Sequence, residues 1–355
     1  MPSIPRQSRH TLLVAATAAF LVIAARAQTS AHGHWVYDPN GVATAAFVYD
    51  VPPEGFNALA LSDVDLQQWG YPPRPRTGDA KSYIRWKRLV GLARISPQLT
   101  FTNVYNGPAR NVRIGSPASR STSASSDNWS GSVITQPNGT FTAEYSTVYG
   151  EWTVPAVAPA PGLSCSSATY ASSQWVGFDG WDAADVLQAG TSANCSSYNA
   201  WYEWYPNAET VVSLPVSPGD NVGVEVWYTT SSPYGHTTLT NNITGKTVTV
   251  GFNPPSGTTY LGNSVEWIME RPEVGTALAD LPNYFFAYLA GNASTCTGGS
   301  ICSPTIVPSG ATLYQVNMTC PPWTPSSACT GTTTITYSYA VGDNTLAVYT
   351  EPPAR

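Results

Sequence analysis

From Asn128 onward, apolar and polar residues alternate at every second position in short runs. Thr and Val alternate along 141–154, and Val222, Val224 and Val226 alternate with polar partners. Period two belongs to an extended chain with two unlike faces, because successive side chains of a strand point to opposite sides. Asn242-Ile-Thr-Gly-Lys246 reads as a turn between two Thr/Val strands. Turn signals recur about every 8 to 12 residues, the spacing of a sandwich or barrel, and no helical period stands out. The sequence therefore predicts an all-β domain over 121–355: a two-sheet antiparallel β-sandwich of the jelly-roll, concanavalin A-like kind. About 230 residues suffice for one large core.

Charge divides the chain at the same place. Of 16 Lys and Arg, thirteen precede residue 121, with six of the 22 acids, so the first 120 residues carry +7 and the remainder −13. An acidic body repels itself at neutral pH, and in acid its carboxylates protonate and the repulsion fades. That balance suits a basic leader that is removed and an acidic domain that works in acid.

The front of the chain fits this reading. Arg6 and Arg9 precede a short apolar run to Ala25, and Ala25-Arg26-Ala27 fits the small-x-small cleavage rule, so residues 1–27 are expected to be a secretory signal. The run is short for a membrane span. An exported, extracellular protein with no membrane or nucleic-acid partner follows. Residues 28–120 read as a basic propeptide and linker, with a small independent domain as the alternative. Within them a short basic helix is expected over 81–94, and the Ser/Ala/Thr tract 116–126 suits a cleavable linker.

All six cysteines lie in the acidic part, and an even number in an exported chain favours disulfides over metal ligation. Pairing of neighbours (Cys165–Cys195, Cys296–Cys302, Cys320–Cys329) closes the shortest loops. No metal and no cofactor are expected. His236 is the one histidine after His34 and reads as a surface loop residue, which leaves Ser-His-Asp and Cys-His mechanisms a single candidate base. Six Asn-x-Ser/Thr sequons, at Asn128, Asn138, Asn194, Asn242, Asn292 and Asn317, are expected in surface loops.

Three segments read at period two combine into a polar and aromatic surface. Trp175, Gly177 and Asp179 share a face, as do Asn199, Trp201, Glu203 and Tyr205, and so do Ser264, Glu266, Ile268 and Glu270. If one sheet brings these faces together, they form a groove of aromatics, carboxylates and amides able to hold an extended polymer, either peptide or sugar. The tryptophans fit core and groove wall equally well.

The blocks Asn128-Trp-Ser-Gly131, Trp175-Val-Gly-Phe-Asp-Gly180, Val186-Leu-Gln-Ala-Gly190, Ala200-Trp-Tyr-Glu-Trp-Tyr-Pro206 and Val265-Glu-Trp-Ile-Met-Glu270 resemble, in the same order, those of the glutamic peptidases, or eqolisins. The resemblance implies a secreted sandwich protein that is made with a propeptide and cleaves proteins in acid. It implies Glu270 as catalytic glutamate and Gln188 as catalytic glutamine, with Trp129, Trp175, Asp179, Glu203 and Tyr205 lining or supporting a substrate groove. Glu270 would activate water as a general base, and the Gln188 amide would stabilise the oxyanion with a donor that acid does not titrate away. Protein or peptide substrates and the chain's own propeptide, as inhibitor, are the expected partners of a monomer.

Rival readings stand beside these. Glu266 is the other candidate base on its strand, and Glu203, between Tyr202 and Trp204, reads as a buried, hydrogen-bonded carboxylate. A jelly-roll glycoside hydrolase needs two carboxylates roughly 5 to 9.5 Å apart. Glu266 and Glu270 are about 13 Å apart along one strand, leaving Glu203 with Glu270. A sugar-binding sandwich without catalysis is the third reading. Against the family pattern, Asn199 stands in place of an Asp and Arg271-Pro272 replaces an acidic-aromatic segment, changes that point to an upward-shifted pH profile.

Overall fold

Alternation in the sequence becomes two β-layers with one apolar face each turned inward. The computed structural model describes residues 31–41, 43–75, 79–118, 121–136, 145–159, 164–165, 169–290, 303, 306–319, 334–341 and 344–349. The expected signal at 1–27 lies outside them. In the first layer the strands Thr210–Val212, Tyr198–Tyr205, Val186–Ala193, Ser172–Asp179, Ser264–Glu270, Trp129–Thr135 and Thr312–Met318 lie side by side, each antiparallel to the next. In the second, Lys246–Phe252, Gly235–Asn241, Asn221–Tyr228, Thr147–Thr153, Phe286–Ala290, Asn344–Tyr349 and Thr336–Val341 do the same. The ladders join where Met318 pairs with Thr336.

Between the layers sits the main core. Val176, Phe178, Leu187, Trp204 and Trp267 of the first layer pack with Trp152, Val224, Leu239 and Val250 of the second, all essentially solvent-free. Two indoles also bond across it. Trp267 Nε1 donates to the Tyr149 carbonyl at 2.9 Å, and Trp152 Nε1 donates to Thr191 Oγ1 at 2.8 Å. A buried indole N–H is costly without such a partner. The antiparallel sandwich expected from the sequence is the architecture observed. Cys165 and Cys195 form a disulfide, as neighbour pairing predicts. The other two expected pairs lie outside the described residues.

Residues 31–118 are built into these layers. Gly33–Val36 pairs with Ala46–Tyr49, which extends the second layer beyond Lys246–Phe252, and Leu99–Phe101 extends the first beyond Thr210–Val212. The helix Ala80–Val90 begins at Asp79, whose carboxylate accepts from Ser82 N at 3.0 Å, and ends at Gly91, short of the Arg94 expected. Ala93–Arg94 is instead a short strand beside Lys246 and Thr247. Trp86, Leu89 and Val90 of the helix pack with Leu66 and Tyr71 in a separate small core.

Two expectations need correction. Thr122–Ser126, read as part of a linker, is a strand parallel to Thr312–Met318, with Ala124 and Ser126 buried. Small Ser and Ala side chains suit a strand packed under a neighbour as well as they suit a linker, and composition cannot tell the two apart. His236, read as a surface loop residue, lies in the Gly235–Asn241 strand. It stacks on Trp227 at 5.0 Å, with Nε2 3.0 Å from the Tyr49 hydroxyl. Burial lowers its pKa to about 3 and keeps the ring neutral.

Candidate active site

The first layer's face opposite the main core carries the polar and aromatic residues. Strand pairing sets Glu203 across from Gln188, Gln188 across from Gly177, and Gly177 across from Glu266. Glu270 lies four residues further along, across from Ser173 and Trp129. Backbone register alone therefore puts Glu266, rather than Glu270, in the row of Gln188. Gly177 is required there: a Cβ on it would meet the Gln188 Cβ at 2.8 Å and the Leu187 carbonyl at 2.7 Å.

Side chains and one crossing segment bring Glu270 and Gln188 to the same strip of peptide. Glu270 is fully buried, with Oε2 accepting from Trp175 Nε1 at 2.7 Å and Oε1 from Asn128 Nδ2 at 3.2 Å. Residues 106–110 lie over this face. Gln188 Nε2 donates to the Asn106 carbonyl, Trp129 Nε1 to the Gly107 carbonyl at 3.0 Å, and Asn128 Nδ2 to the Pro108 carbonyl at 3.1 Å. Asn128 thus holds both Pro108 and Glu270. The Trp129 and Trp175 rings meet edge to face at 5.0 Å beneath the segment, and Tyr205 closes over Gly107, where a Cβ would come within 3.0 Å of its ring.

Glu203 is buried and hydrogen-bonded. It accepts from the Asn106 backbone N at 3.0 Å and from Asn106 Nδ2 at 3.1 Å, and it lies 3.3 Å from Gln188 Nε2. Glu209 accepts from the same Asn106 Nδ2 at 3.0 Å, so one side-chain amide bridges two carboxyls. Asp179 holds backbone on this side of the layer. Its carboxylate accepts from the backbone N–H groups of Leu261, Gly262 and Asn263 at 3.1, 3.1 and 2.9 Å, and so clamps that loop.

Burial dominates the electrostatics. It pushes the Glu270 carboxyl well above the usual carboxylate range, against the pull of the Trp175 and Asn128 donors and Arg110. Glu203 is raised by burial and by the nearby Glu209. Glu209 and Asp179 are each raised to about 7 by burial. Glu266, the rival base, is also buried and raised, and it sits near Asp179 rather than under the segment 106–110. Among the described residues, no group of three or more His, Cys, Asp and Glu is arranged to hold a metal ion.

Asn106, Glu209 and the role of Asn128 were not found from sequence. Asn106 sits in the segment read as propeptide, 82 residues from Gln188, and no local pattern ties the two. Asn128 was visible twice, as a sequon and within a family block. Its side chain is buried and fully engaged, so it is not the surface-loop site the sequon suggested. Asn138 and Asn292 lie outside the described residues.

The Gln188 amide and the Asn128 donor of the buried Glu270 carboxyl thus meet one strip of peptide. Residues 127–339 match the Peptidase A4 family. The chain belongs to that family, the eqolisins, and is a glutamic-type endopeptidase. Aspergillopepsin-2 of Aspergillus niger is 32% identical over 235 residues, 60% of this chain and 78% of the relative. Scytalidopepsin B of Scytalidium lignicola is 36% identical over 121 residues, 33% of this chain and 46% of the relative. A scytalido-glutamic peptidase crystal structure with a transition state analog inhibitor aligns over 63% of this chain and 98% of that one, at 22% identity and a TM-score of 0.49. Membership makes the chain a peptidase rather than a glycoside hydrolase or a sugar-binding sandwich.

Proposed function

We propose that this endopeptidase is secreted, works in acid, and cuts peptide bonds with Glu270 as general base and Gln188 as oxyanion-binding amide. The observation that carries the reading is the hydrogen bond from Gln188 Nε2 to a peptide carbonyl, on the strip of backbone that also meets the partners of Glu270. In this mechanism Glu270 takes a proton from water, and the water oxygen adds to the carbonyl carbon. The Gln188 amide holds the oxygen as it becomes negative. Glu270 then returns the proton to the departing nitrogen as the C–N bond breaks. Glu203, beside Gln188 Nε2, is the positioning residue that turns the amide toward the carbonyl.

Residues 1–27 are the proposed export signal, and 28–120 the proposed propeptide and inhibitor. Among the described residues, no helix is long and apolar enough to cross a membrane. Contacts of opposite charge support retention of the leader. Arg88 lies 2.8 Å from Glu151 and Arg113 lies 3.5 Å from Asp127, and Arg110 is bound to Glu273. While 106–110 covers the site, burial favours protonated Glu270, so only its minor ionised fraction can accept a proton from water and any cut made in this state is slow. Removing the cover lets water in, and the carboxyl returns toward its ordinary value of about 4.3, leaving a usable ionised fraction in acid. The enzyme is proposed to act as a monomer on protein or peptide substrates.

The test acidifies the full chain to about pH 3.5, where an ordinary Glu is partly ionised, and follows casein cleavage with pepstatin present. Glu270→Gln should lower kcat/KM by about 10²–10⁴-fold. Gln188→Ala should lower it by about 10²–10³-fold. Folded variants with wild-type activity would overturn the assignment.

A further inference from the structure

We propose that the Asn106–Gly107 peptide bond is the first processing site of the precursor, held across its own active centre as an intramolecular substrate. This rests on the glutamate–glutamine reading above and adds a particular bond to it.

Three observations carry the inference. First, the carbonyl on Gln188 Nε2 is that of Asn106, so the bond presented to the oxyanion donor is Asn106–Gly107. Second, the next two carbonyls are also held, Gly107 by Trp129 and Pro108 by Asn128, which fixes the direction of the chain from Gln188 toward the partners of Glu270. Third, the Asn106 side chain enters a closed pocket between Glu203 and Glu209 and gives Nδ2 to both carboxyls, so the register cannot slip by one residue without losing both bonds. On the far side, Ala109 N donates to the Gly180 carbonyl at 3.1 Å and Arg110 N to Asn128 Oδ1 at 2.8 Å. Residues flanking the bond are thus anchored independently, and the two new ends can part.

The step balances with water alone. Glu270 removes a proton from a water admitted beside it, and the water oxygen adds to the Asn106 carbonyl carbon while Gln188 holds the oxyanion. As the C–N bond breaks, the proton passes from Glu270 to Gly107 N. Asn106 ends as a carboxyl terminus and Gly107 as a free amine. An intramolecular substrate needs no encounter, so the reaction should be first order in precursor.

The experiment acidifies the full-length precursor and its Glu270→Gln variant, then maps new termini by mass spectrometry over a tenfold range of protein concentration. A fragment ending at Asn106 and a partner beginning at Gly107, absent from Glu270→Gln, with a half-life unchanged by dilution, is the expected result. Termini elsewhere only, in a preparation that cleaves casein, would overturn the inference and leave the proposed function standing. A half-life that lengthens with dilution would overturn the intramolecular step. A folded wild type that neither trims itself nor cleaves casein would overturn both readings. Asn106→Leu removes the two carboxyl contacts and should slow this cut at least tenfold. Because that variant could also unfold the segment, a synthetic peptide of sequence 102–111 is offered to the acid-processed protein, where a single cut between the residues matching Asn106 and Gly107 is expected and cuts only elsewhere would overturn the assignment.

Discussion

The two faces of the first layer are buried to the same degree by different means. Val176, Leu187, Trp204 and Trp267 are covered by the second layer of the sandwich, apolar against apolar. Gln188, Glu203 and Glu270 on the other face are covered by a crossing segment that bonds Gln188 and Glu203 through Asn106 and reaches Glu270 through Asn128. Burial of these side chains does not change with pH, because none of the four titrates. Burial of carboxyls under a polar strip costs solvation that the strip only partly returns, and it changes with proton uptake. The difference teaches which cover is permanent and which is removable.

The comparison breaks most sharply at Trp267. Trp267→Ala removes a large buried ring and leaves the Tyr149 carbonyl without its indole donor, and should cost about 3–5 kcal/mol in urea unfolding with or without the leader. A loss under about 1 kcal/mol would show that the inner face is less tightly filled than its burial implies.

Next comes the pH dependence of stability. Asp179, Glu209 and Glu225 have folded values raised to about 7 by burial, above their unfolded ones. A folded state that binds more protons than the unfolded state loses stability as pH rises. For these three groups the loss should run from about pH 4.5 to about pH 7. The intact precursor should therefore melt at least about 5 °C lower at pH 7.5 than at pH 4.5 in scanning calorimetry. Glu209 is sealed by Asn106, and Glu225 lies near Arg85 of the helix Ala80–Val90. Removing residues up to Asn106 should exempt both, so a processed protein with an equally steep profile would show that the remaining residues bury these carboxyls by themselves.

Smallest is the rim. Arg88 and Glu151 are partly exposed, and such pairs contribute about 0.2–1 kcal/mol. Arg88→Ala should shift the urea midpoint of the precursor by no more than that at low salt, and by less at high salt. A larger shift would mean that leader retention depends on single ion pairs rather than on the strands it adds.

Much of this could be read from the sequence. Alternation placed Trp175, Glu203 and Glu270 each on the polar face of its strand, as the observed register has it, while Gln188 was legible only through the family blocks. Asp79 and Gly91 bound a helix whose last turn alone was misjudged, because Ala93-Arg94 has no breaker of its own and forms a strand by pairing with Lys246 and Thr247. His236 was misplaced for a similar reason. Its neighbours Tyr234 and Gly235 suit a turn, and only Trp227 and Tyr49, distant in sequence, make it a core residue.

What the sequence by itself determined is local: the period of two that gives each strand an inner and an outer face, and the charge imbalance between the first 120 residues and the rest. Those properties follow from the backbone geometry of an extended chain and from counting ionisable groups. Only the tertiary structure decided which segment lies over the polar face, that Asn106 rather than a neighbour meets Gln188, and that Asn128 is sealed between Glu270 and Pro108. Contacts across 82 or 142 residues depend on how the layers close, which no local pattern encodes.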